Sequence, residues 1–522
     1  MPGLHNFSGF DLAHLVELQA RVRGAHPFLI WHPFEGEGRT WSYAGFADAV
    51  ARVAGGMAQR GIGRGCRVII HLDNCPEAVI AWFACARLGA VAVATNARAS
   101  VAELAYFAEH SGADAAITQP RLLAVVEAAC PHLRWIVVTN TDNGAPAERR
   151  PDRDTGFAAL LACTDPAPLR PAEPTLMAAV QYTSGTTSRP KGVVFTHANG
   201  LWGAKIGAGH AGLRPDDVFL IQLPLYHVIA LSYGLLSTLW ACGSVVLLPR
   251  FSASRFWDIS LRHRCTWAAM VPFCVSALAE HDVPEQHCYR AWGNAFWSPQ
   301  LERRYRISVL GWWGMTEMIT HPIVGDPGKP GRAMAIGRAA PEYDVAVVQD
   351  DGSPTPPGEP GHLLVRGVPG ISIFRDYLDN PIATAESFDE RGFFKTGDIV
   401  IPHADGFIQY VERAKDMLKV GGENVGAAEI ERVIQAVPGV KEVAVVGRPH
   451  PMLQEVALAF VVVAASHAPG DAALREAILA ACGRNLADFK LPRDVVFLDR
   501  LPRGSMEKIS KVELRRQARE EP

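Results

Sequence analysis

The sequence predicts a layered α/β protein: a large N-terminal domain of α/β sheets with a small β-barrel-like part, followed by a small α+β C-terminal domain. Three observations carry this expectation. From residue 40 onward apolar β-rich runs alternate with helical patterns, VIIHL at 68–72, EAVIAWFACARLGA at 77–90 and VAVAT at 91–95, which is how a sheet covered by helices is encoded. Between 340 and 412 the pattern changes to short strands separated by Gly and Pro, as in DVAVVQDDGSPTPPGEPGHLLVRG, which predicts a small antiparallel or barrel-like part. After Arg413, AAEIERVIQAVPGVKEVAVVGRPH and DAALREAILAACGRNL read as amphipathic helices interleaved with strands, about one hundred residues that form a compact unit of their own. The domains are accordingly placed at 1–413 and 414–522.

Length and composition agree. A chain of 522 residues exceeds the size at which one core keeps growing, and 48% hydrophobic residues supply ample core material. A formal net charge of -3 gives no basic excess to neutralise phosphates, so neither nucleic acid nor a membrane surface is an expected partner. The ten cysteines are scattered singly, with no C-x-x-C pair and no zinc-ligand spacing to histidine. Free thiols in a reducing cytoplasmic setting are the reading that follows. No charged stretch followed by an apolar one opens the chain, so no secretory signal is expected.

The elements follow from local chemistry. Helix 77–90 is preceded by Asn74-Cys75-Pro76-Glu77, where proline and glutamate suit a first turn. The Pro/Asp/Arg-rich stretch 144–156 reads as an exposed loop. The run 227–249 has no acidic or basic residue after His227 until its end, long enough to span a membrane. Ser232, Gly234 and Ser237, with the turn-like Ala241-Cys242-Gly243-Ser244, instead divide it into a buried helix of about a dozen residues and a strand at Val245–Leu248.

One loop has no packing purpose. QYTSGTTSRPKGV at 181–193 places no apolar side chain between Thr183 and Lys191. It fails as a Walker loop, because Pro190 stands where the second glycine is needed and GVVF after Lys191 favours a strand. Its parts still suit a phosphate cradle: Gly185 lets backbone N–H groups approach, Thr183, Ser184, Thr186, Thr187 and Ser188 add donors, and Lys191 adds charge.

T-S-G-T-T-x-x-P-K-G resembles the signature loop of the adenylate-forming superfamily, which contains acyl-CoA synthetases, luciferases and peptide-synthetase adenylation domains. Further motifs resemble that family in the same order. LPLYHVIA (223–230) resembles the segment beside the acyl carboxylate, and implies Tyr226 and His227 there. WGNAF (292–296) lies where the family sets a small-residue strand against adenine, implying Gly293, Asn294 and Ala295 for the nucleotide and Trp292 beside the acyl group. GWWGMTE (311–317) resembles the family's G-Y-G-x-T-E; it implies Gly311 and Trp312 toward the acyl group, Trp313 and Gly314 at adenine, Thr316 at the α-phosphate and Glu317 on Mg²⁺. FFKTGDIV (393–400) and ERAKDMLKVGGENV (412–425) supply Asp398 and Arg413 for the ribose. Taken singly, Trp312 and Trp313 are equally core aromatics, Glu317 a solvated carboxylate, Asp398 a turn residue and Arg413 a partner of Glu412 or Asp416; the shared order argues for the site.

The chemistry implied agrees with the residue types. A carboxylate repels nucleophiles, so it is first joined to AMP as a mixed anhydride while pyrophosphate leaves, and a thiol then attacks. That step needs cations and many donors, and no nucleophilic Ser or Cys. ATP/AMP, Mg²⁺ and coenzyme A are the implied cofactors.

The resemblance also implies that the C-terminal domain is mobile about Lys415. One orientation delivers Lys508 to the ATP site, and the other brings Lys419, Gly421, Gly422 and Glu423 to the pantetheine channel. The family's P-[RK]-x-x-[ST]-G-K reads here Pro502-Arg503-Gly504-Ser505-Met506-Glu507-Lys508, with glutamate in place of glycine. A unit-charge pair at about 5 Å interacts by roughly 3 kcal/mol at an effective dielectric near 20, enough to slow adenylation about a hundredfold. This leaves open a half-enzyme that only thioesterifies a supplied acyl-AMP and relies on a partner adenylating enzyme.

TTSRPKGVV and GVPGISIFRDYLDNPIATAESF (367–388) look closest to the carnitine/crotonobetaine-CoA ligase branch. The expected acyl lining, Tyr226, His227, Trp292, Phe296, Trp297 and Trp312, suits a quaternary ammonium or a bulky aryl acid. With no acidic residue among them, a bulky apolar acid of specialised metabolism is favoured. A carrier-protein-loading adenylation enzyme would share these motifs, although no G-G-x-S attachment site occurs through Pro522. A non-catalytic acyl-adenylate-binding protein and a luciferase-like oxygenase are the other classes, and a homodimer is compatible with the resemblance.

Overall fold

A computed structural model describes residues 5–147, 156–183, 190–420, 423–450, 453–464, 472–486, 490–503 and 509–520. The chain forms two compact units, 1–345 with 365–394, and 346–364 with 395–522.

Beside a two-stranded pair, Thr141–Asp142 with Ala145–Pro146, the first unit holds strands of two large sheets. One has six strands in the order Gly192–Thr196, Met177–Tyr182, Val91–Ala94, Arg67–His71, Ala115–Thr118 and Ile136–Val138. All its pairings are parallel except the Gly192–Thr196 hairpin on Met177–Tyr182. Parallel neighbours require crossover helices, and the helix Pro76–Leu88 is one: Pro76 sits at its first position, Glu77 in its first turn, and Gly89 closes it at φ 69. Glycine is needed there because the left-handed cap crowds any Cβ. In the second sheet, Ser308–Trp313, Ala291–Asn294, Trp267–Ala269, Val218–Ile221, Ser244–Leu247 and Pro27–Trp31 lie side by side and parallel.

The apolar run 227–249 folds as a helix, a turn and a strand. It forms a π-helix over Ile229–Leu236, an α-helical turn over Ser237–Trp240 and the strand Ser244–Leu247. No described helix is long and apolar enough to cross a membrane. The π-helix packs tightly because its neighbours are small. A Cβ on Gly203 or Gly207 of the helix His197–Ala211 would fall 2.4 Å from Ser232 Oγ and 2.3 Å from Ser237 Oγ, so these two glycines, one turn apart, set the closeness of the helices. π-helical turns are costly and concentrate at functional sites.

In the second unit, the strands Phe394–Pro402 and Ile408–Arg413 form an antiparallel hairpin. The C-terminal part is a sheet of Glu423–Val425, Leu418–Val420, Gln454–Val463, Val440–His450 and Asp494–Phe497. Strand alternation divides its core. Val443 and Val445 pack under the helices Ala427–Gln435 and Ala472–Asn485, while Ala444 and Val446 face Leu514 and Ala518 of the helix Lys511–Glu520. All ten cysteines are free thiols.

A buried ion cluster ties this unit together. Lys511 Nζ lies 3.1 Å from Glu412 Oε1 and 2.9 Å from Glu431 Oε1. Glu412 Oε2 accepts the Ala427 N–H at 2.7 Å, at the start of the Ala427–Gln435 helix, and Arg515 pairs with Asp416. Burial pushes the Glu412 carboxyl up to about 7; Lys511 pulls it down, while Glu431 and Asp416 push it further up. The folded protein therefore keeps a proton that the unfolded chain has lost, so this group's contribution to stability declines as pH rises from 4.5 to about 7 and is constant above. In urea unfolding, Glu412→Gln is expected to flatten the decline between pH 5 and 7 by up to about 1.4 kcal/mol per pH unit. Equal slopes in the two proteins would return Glu412 to an ordinary carboxylate.

Candidate active site

The hydroxyl-rich loop begins and ends as a hairpin. Tyr182 opposes Gly192, and the Thr183 N–H donates to the Lys191 carbonyl at 3.0 Å. Ser184, Gly185, Thr186 and Thr187 lie outside the described residues, as do Gly421, Gly422 and Lys508. Lys415, Lys419 and Glu423 are described in backbone only: Lys415 within the 3-10 turn Ala414–Asp416, Lys419 and Glu423 on the paired strands Leu418–Val420 and Glu423–Val425.

The outer edge of the Gly192–Thr196 strand is covered. Residues 375–378 run along it, with hydrogen bonds from Arg375 N to Val194 O (3.0 Å), Val194 N to Asp376 O (3.0 Å) and Leu378 N to Gly192 O (2.8 Å). An uncovered strand edge would be a docking hazard; covered, it becomes a rigid mount. It presents Tyr377, whose ring centroid lies 4.5 Å from Lys191 Nζ and whose hydroxyl donates to Glu317 Oε1 at 2.8 Å. The Phe374 N–H donates to the Glu317 carbonyl at 2.7 Å. A cavity of about 170 Å³ opens between Tyr106, His110, Lys191, Tyr377 and Asn380. The Tyr106 hydroxyl closes its rim by donating to the Pro190 carbonyl at 2.9 Å.

Glu317 stands in the 3-10 turn Thr316–Met318 and is only 5% exposed. The next residue after that turn, Ile319, has φ 57. A β-branched residue there is strained, and such strain persists only where surroundings hold it. Here Tyr233, from the π-helix, donates to the Thr320 carbonyl at 3.4 Å, and a Cβ on Gly314 would fall 2.2 Å from the Tyr233 hydroxyl.

Strand alternation sorts the tryptophans. Gly293 lies directly beneath the Trp312 indole, which stacks on His321 at 4.6 Å and 11° and meets Tyr233 edge-on at 5.4 Å. Burial, with His210 nearby, drives His321 well below the ordinary imidazole value, so it is neutral. Trp292 points to the opposite face. It is 1% exposed and packs among Phe256, Trp257, Tyr289 and Tyr305. The expectation that Trp292 lines an acyl site is therefore corrected: a side-chain period of two turns it into the helix-covered core. Trp313 is 7% exposed at the end of its strand. Asn294 is buried, its Nδ2 donating to the Phe296 carbonyl at 2.9 Å, while its Oδ1 has no partner among the described residues. Ala295, Gly314 and Thr316 are half-buried.

Tyr226 and His227 lie ring to ring at 4.5 Å. Tyr226 borders an apolar cavity with Leu72, Val79, Trp82, Leu231 and Leu235. The loop that carries it is stapled by buried Asn74, which accepts from Leu225 N at 2.9 Å and donates to Leu223 O at 2.9 Å.

In the second unit, antiparallel register sets Asp398 opposite Arg413, with Nε 2.7 Å from Oδ1. Arg413 Nη1 also donates to the Thr396 carbonyl at 2.9 Å. Thr396 Oγ1 in turn accepts the Asp398 N–H at 3.1 Å and donates to Leu363 O at 2.7 Å. Arg413 thus pairs with the other expected ribose residue.

Comparisons with known proteins identify the family and the fold. The pattern of the AMP-binding enzyme family matches residues 16–378, and that of the AMP-binding enzyme C-terminal domain matches residues 429–508. The crotonobetaine/carnitine–CoA ligase of Salmonella paratyphi C is 32% identical, over 97% of this chain and 99% of that protein. Among solved structures, ATP-bound MatB from Rhodopseudomonas palustris superposes with a TM-score of 0.84 at 27% identity, covering 96% of this chain and 98% of that one. A benzoate CoA ligase from Burkholderia xenovorans LB400 superposes at 0.84 with 25% identity, covering 97% and 100%. The chain belongs to the AMP-binding enzyme family, as an acid–thiol ligase of the AMP-forming kind.

Sequence reasoning missed Tyr377 and Asn74 as site residues. Tyr377 falls within FRDYLDNP, a stretch whose spacing carries no chemical signature, and only the edge pairing reveals its role. Gly293→Ala would put a methyl 1.8 Å from Trp312, so overpacking is expected to cost about 1–3 kcal/mol in urea unfolding and to alter the near-ultraviolet tryptophan signal. Unchanged stability and signal would show that Trp312 does not rest on that glycine.

Proposed function

We propose that the chain joins a bulky apolar carboxylic acid to coenzyme A through an acyl-adenylate. The observation that carries this reading is the unit of Glu317, Tyr377 and Lys191 at the foot of the hydroxyl-rich loop: an anion and a cation held by one aromatic ring. Lys191 and Thr183, with Ser184, Gly185, Thr186 and Thr187, hold the phosphates. Gly293, Asn294, Ala295, Trp313 and Gly314 take adenine, Thr316 faces the α-phosphate, and Asp398 with Arg413 takes the ribose. Asn294 supports this, since its buried Oδ1 needs a donor such as an exocyclic amine.

Magnesium fits Glu317. No group of three metal-ligating side chains occurs among the described residues, and magnesium is ordinarily held by one or two carboxylates with phosphate oxygens and water. When bound it supplies positive charge against the departing pyrophosphate. Lys191 adds a second cation, while Lys508 adds a third in the adenylating orientation. The 414–522 domain turns about Lys415, bringing Lys419, Gly421, Gly422 and Glu423 to the pantetheine arm.

The acid's apolar end is directed toward Tyr226, with Gly311, Trp312 and His227 toward its carboxylate; the apolar cavity there measures only about 20 Å³, room for about one water, so its side chains must move apart to admit a bulky acid. Asp73 also borders that cavity, but Arg121 and Gln119 already hold it, so no uncompensated anion is left for a quaternary ammonium. This favours an aryl or polycyclic acid over a trimethylammonium acid. The sequence Glu507-Lys508 keeps the half-enzyme as a second reading.

A split assay separates the readings: pyrophosphate release from ATP with a panel of acids, beside thioester formation from their preformed adenylates. Both half-reactions with aryl acids and neither with trimethylammonium acids is the expected result. Thioester formation alone would establish the half-enzyme, and failure of both would overturn the ligase reading.

A further inference from the structure

We propose that Tyr377 is a positioning residue that fixes Glu317 and Lys191 relative to each other and thereby sets the affinity of the site for magnesium-bound triphosphate. The inference rests on the ligase reading above and adds to it a residue that touches neither reactant.

The geometry assigns Tyr377 two simultaneous duties. Its hydroxyl, at the ring's edge, donates to Glu317 Oε1 at 2.8 Å, and its face receives the Lys191 ammonium at 4.5 Å. A carboxylate that accepts one well-formed hydrogen bond is locked in rotation, so its other oxygen is aimed. An ammonium on a flexible four-carbon stem has no preferred direction of its own, and a ring face supplies one. One side chain thus determines the placement of both charges.

Tyr377 can do this because it is itself immobile. Three backbone hydrogen bonds join 375–378 to the Gly192–Thr196 strand, which begins immediately after Lys191. Phe374, fully buried, meets the Tyr377 ring at 4.8 Å, and its N–H holds the backbone of Glu317. Lys191 and Glu317 are far apart in the chain, and both meet this segment at Tyr377. Without the segment nothing in the covalent chain would keep their spacing. Tyr377 is only 5% exposed, so a purely structural role is the competing explanation, and the test must separate the two.

The test is calorimetric binding of ATP to the full chain, without any acid, as magnesium is titrated. Tyr377→Phe keeps the ring and removes only the hydroxyl. It is expected to raise the half-saturating magnesium about tenfold, as loss of a partner behind a ligand does, with the melting temperature essentially retained. In a Glu317→Gln background the same change is expected to act less than about twofold, because its route is gone. Tyr377→Leu, which also removes the ring face, should in addition weaken magnesium-free pyrophosphate binding severalfold. Magnesium dependence unchanged in Tyr377→Phe, or an equal loss in both backgrounds, would overturn the inference and leave Tyr377 as packing. Absence of ATP binding by the unmodified protein at any magnesium concentration would instead overturn the ligase reading itself, and this inference with it.

Discussion

A carboxylate taken out of water keeps its charge only if donors and a cation come with it, and the first unit is organised around meeting that constraint at Glu317. The side chain is nearly buried, its oxygen takes the Tyr377 hydroxyl, and its backbone takes the Phe374 N–H. Those donors exist only because residues 374–378 add to the exposed edge of the Gly192–Thr196 strand. The same strand carries the end of the hydroxyl-rich loop. Edge protection and charge placement are therefore one device, and the base of the hydroxyl-rich loop, the strained turn at Ile319 and the segment 374–378 depend on each other.

The strained turn has its own support. Ile319 holds a left-handed conformation that a β-branched residue ordinarily avoids. Tyr233 is brought to its side by the π-helix, whose extra turn width is accommodated by Gly203 and Gly207 on one side and by Gly234 against Phe219 and Ile221 on the other. Small residues give the helix its closeness, closeness places Tyr233, and Tyr233 braces the turn that carries Thr316 and Glu317. The chain of causes runs from small residues in the sequence to the placement of Glu317.

The broad architecture was legible because it rests on periodicity. The helix following Cys75 and the strands on either side of it fall within two residues of the expected bounds, since Pro76, Glu77 and Gly89 mark them chemically. The run 227–249 was readable as helix, turn and strand because serines and glycines interrupt it, although nothing in its residue pattern foretold a π-helix. Individual side-chain directions were less legible. Trp292 looked like a pocket aromatic by its neighbours in sequence, yet the strand's alternation turns it into the aromatic core. Tyr377 was invisible because its role comes from a pairing between segments far apart. Asp398 and Arg413 were each expected at the ribose by motif, with Glu412 or Asp416 as the foreseen partner of Arg413; that Arg413 pairs with Asp398 instead follows from the antiparallel register, which sets them opposite each other.

In the proposed reaction the acid's own carboxylate oxygen attacks the α-phosphate, a step that isotope transfer reports. An accepted acid labelled with ¹⁸O in its carboxylate is incubated with the protein, ATP and coenzyme A, and the nucleotide product is weighed by mass spectrometry. AMP carrying one ¹⁸O from the acid for each thioester formed is the expected result. Unlabelled nucleotide with ¹⁸O in inorganic phosphate would mean attack at the terminal phosphate, and would contradict the assignment of this site to adenylate chemistry.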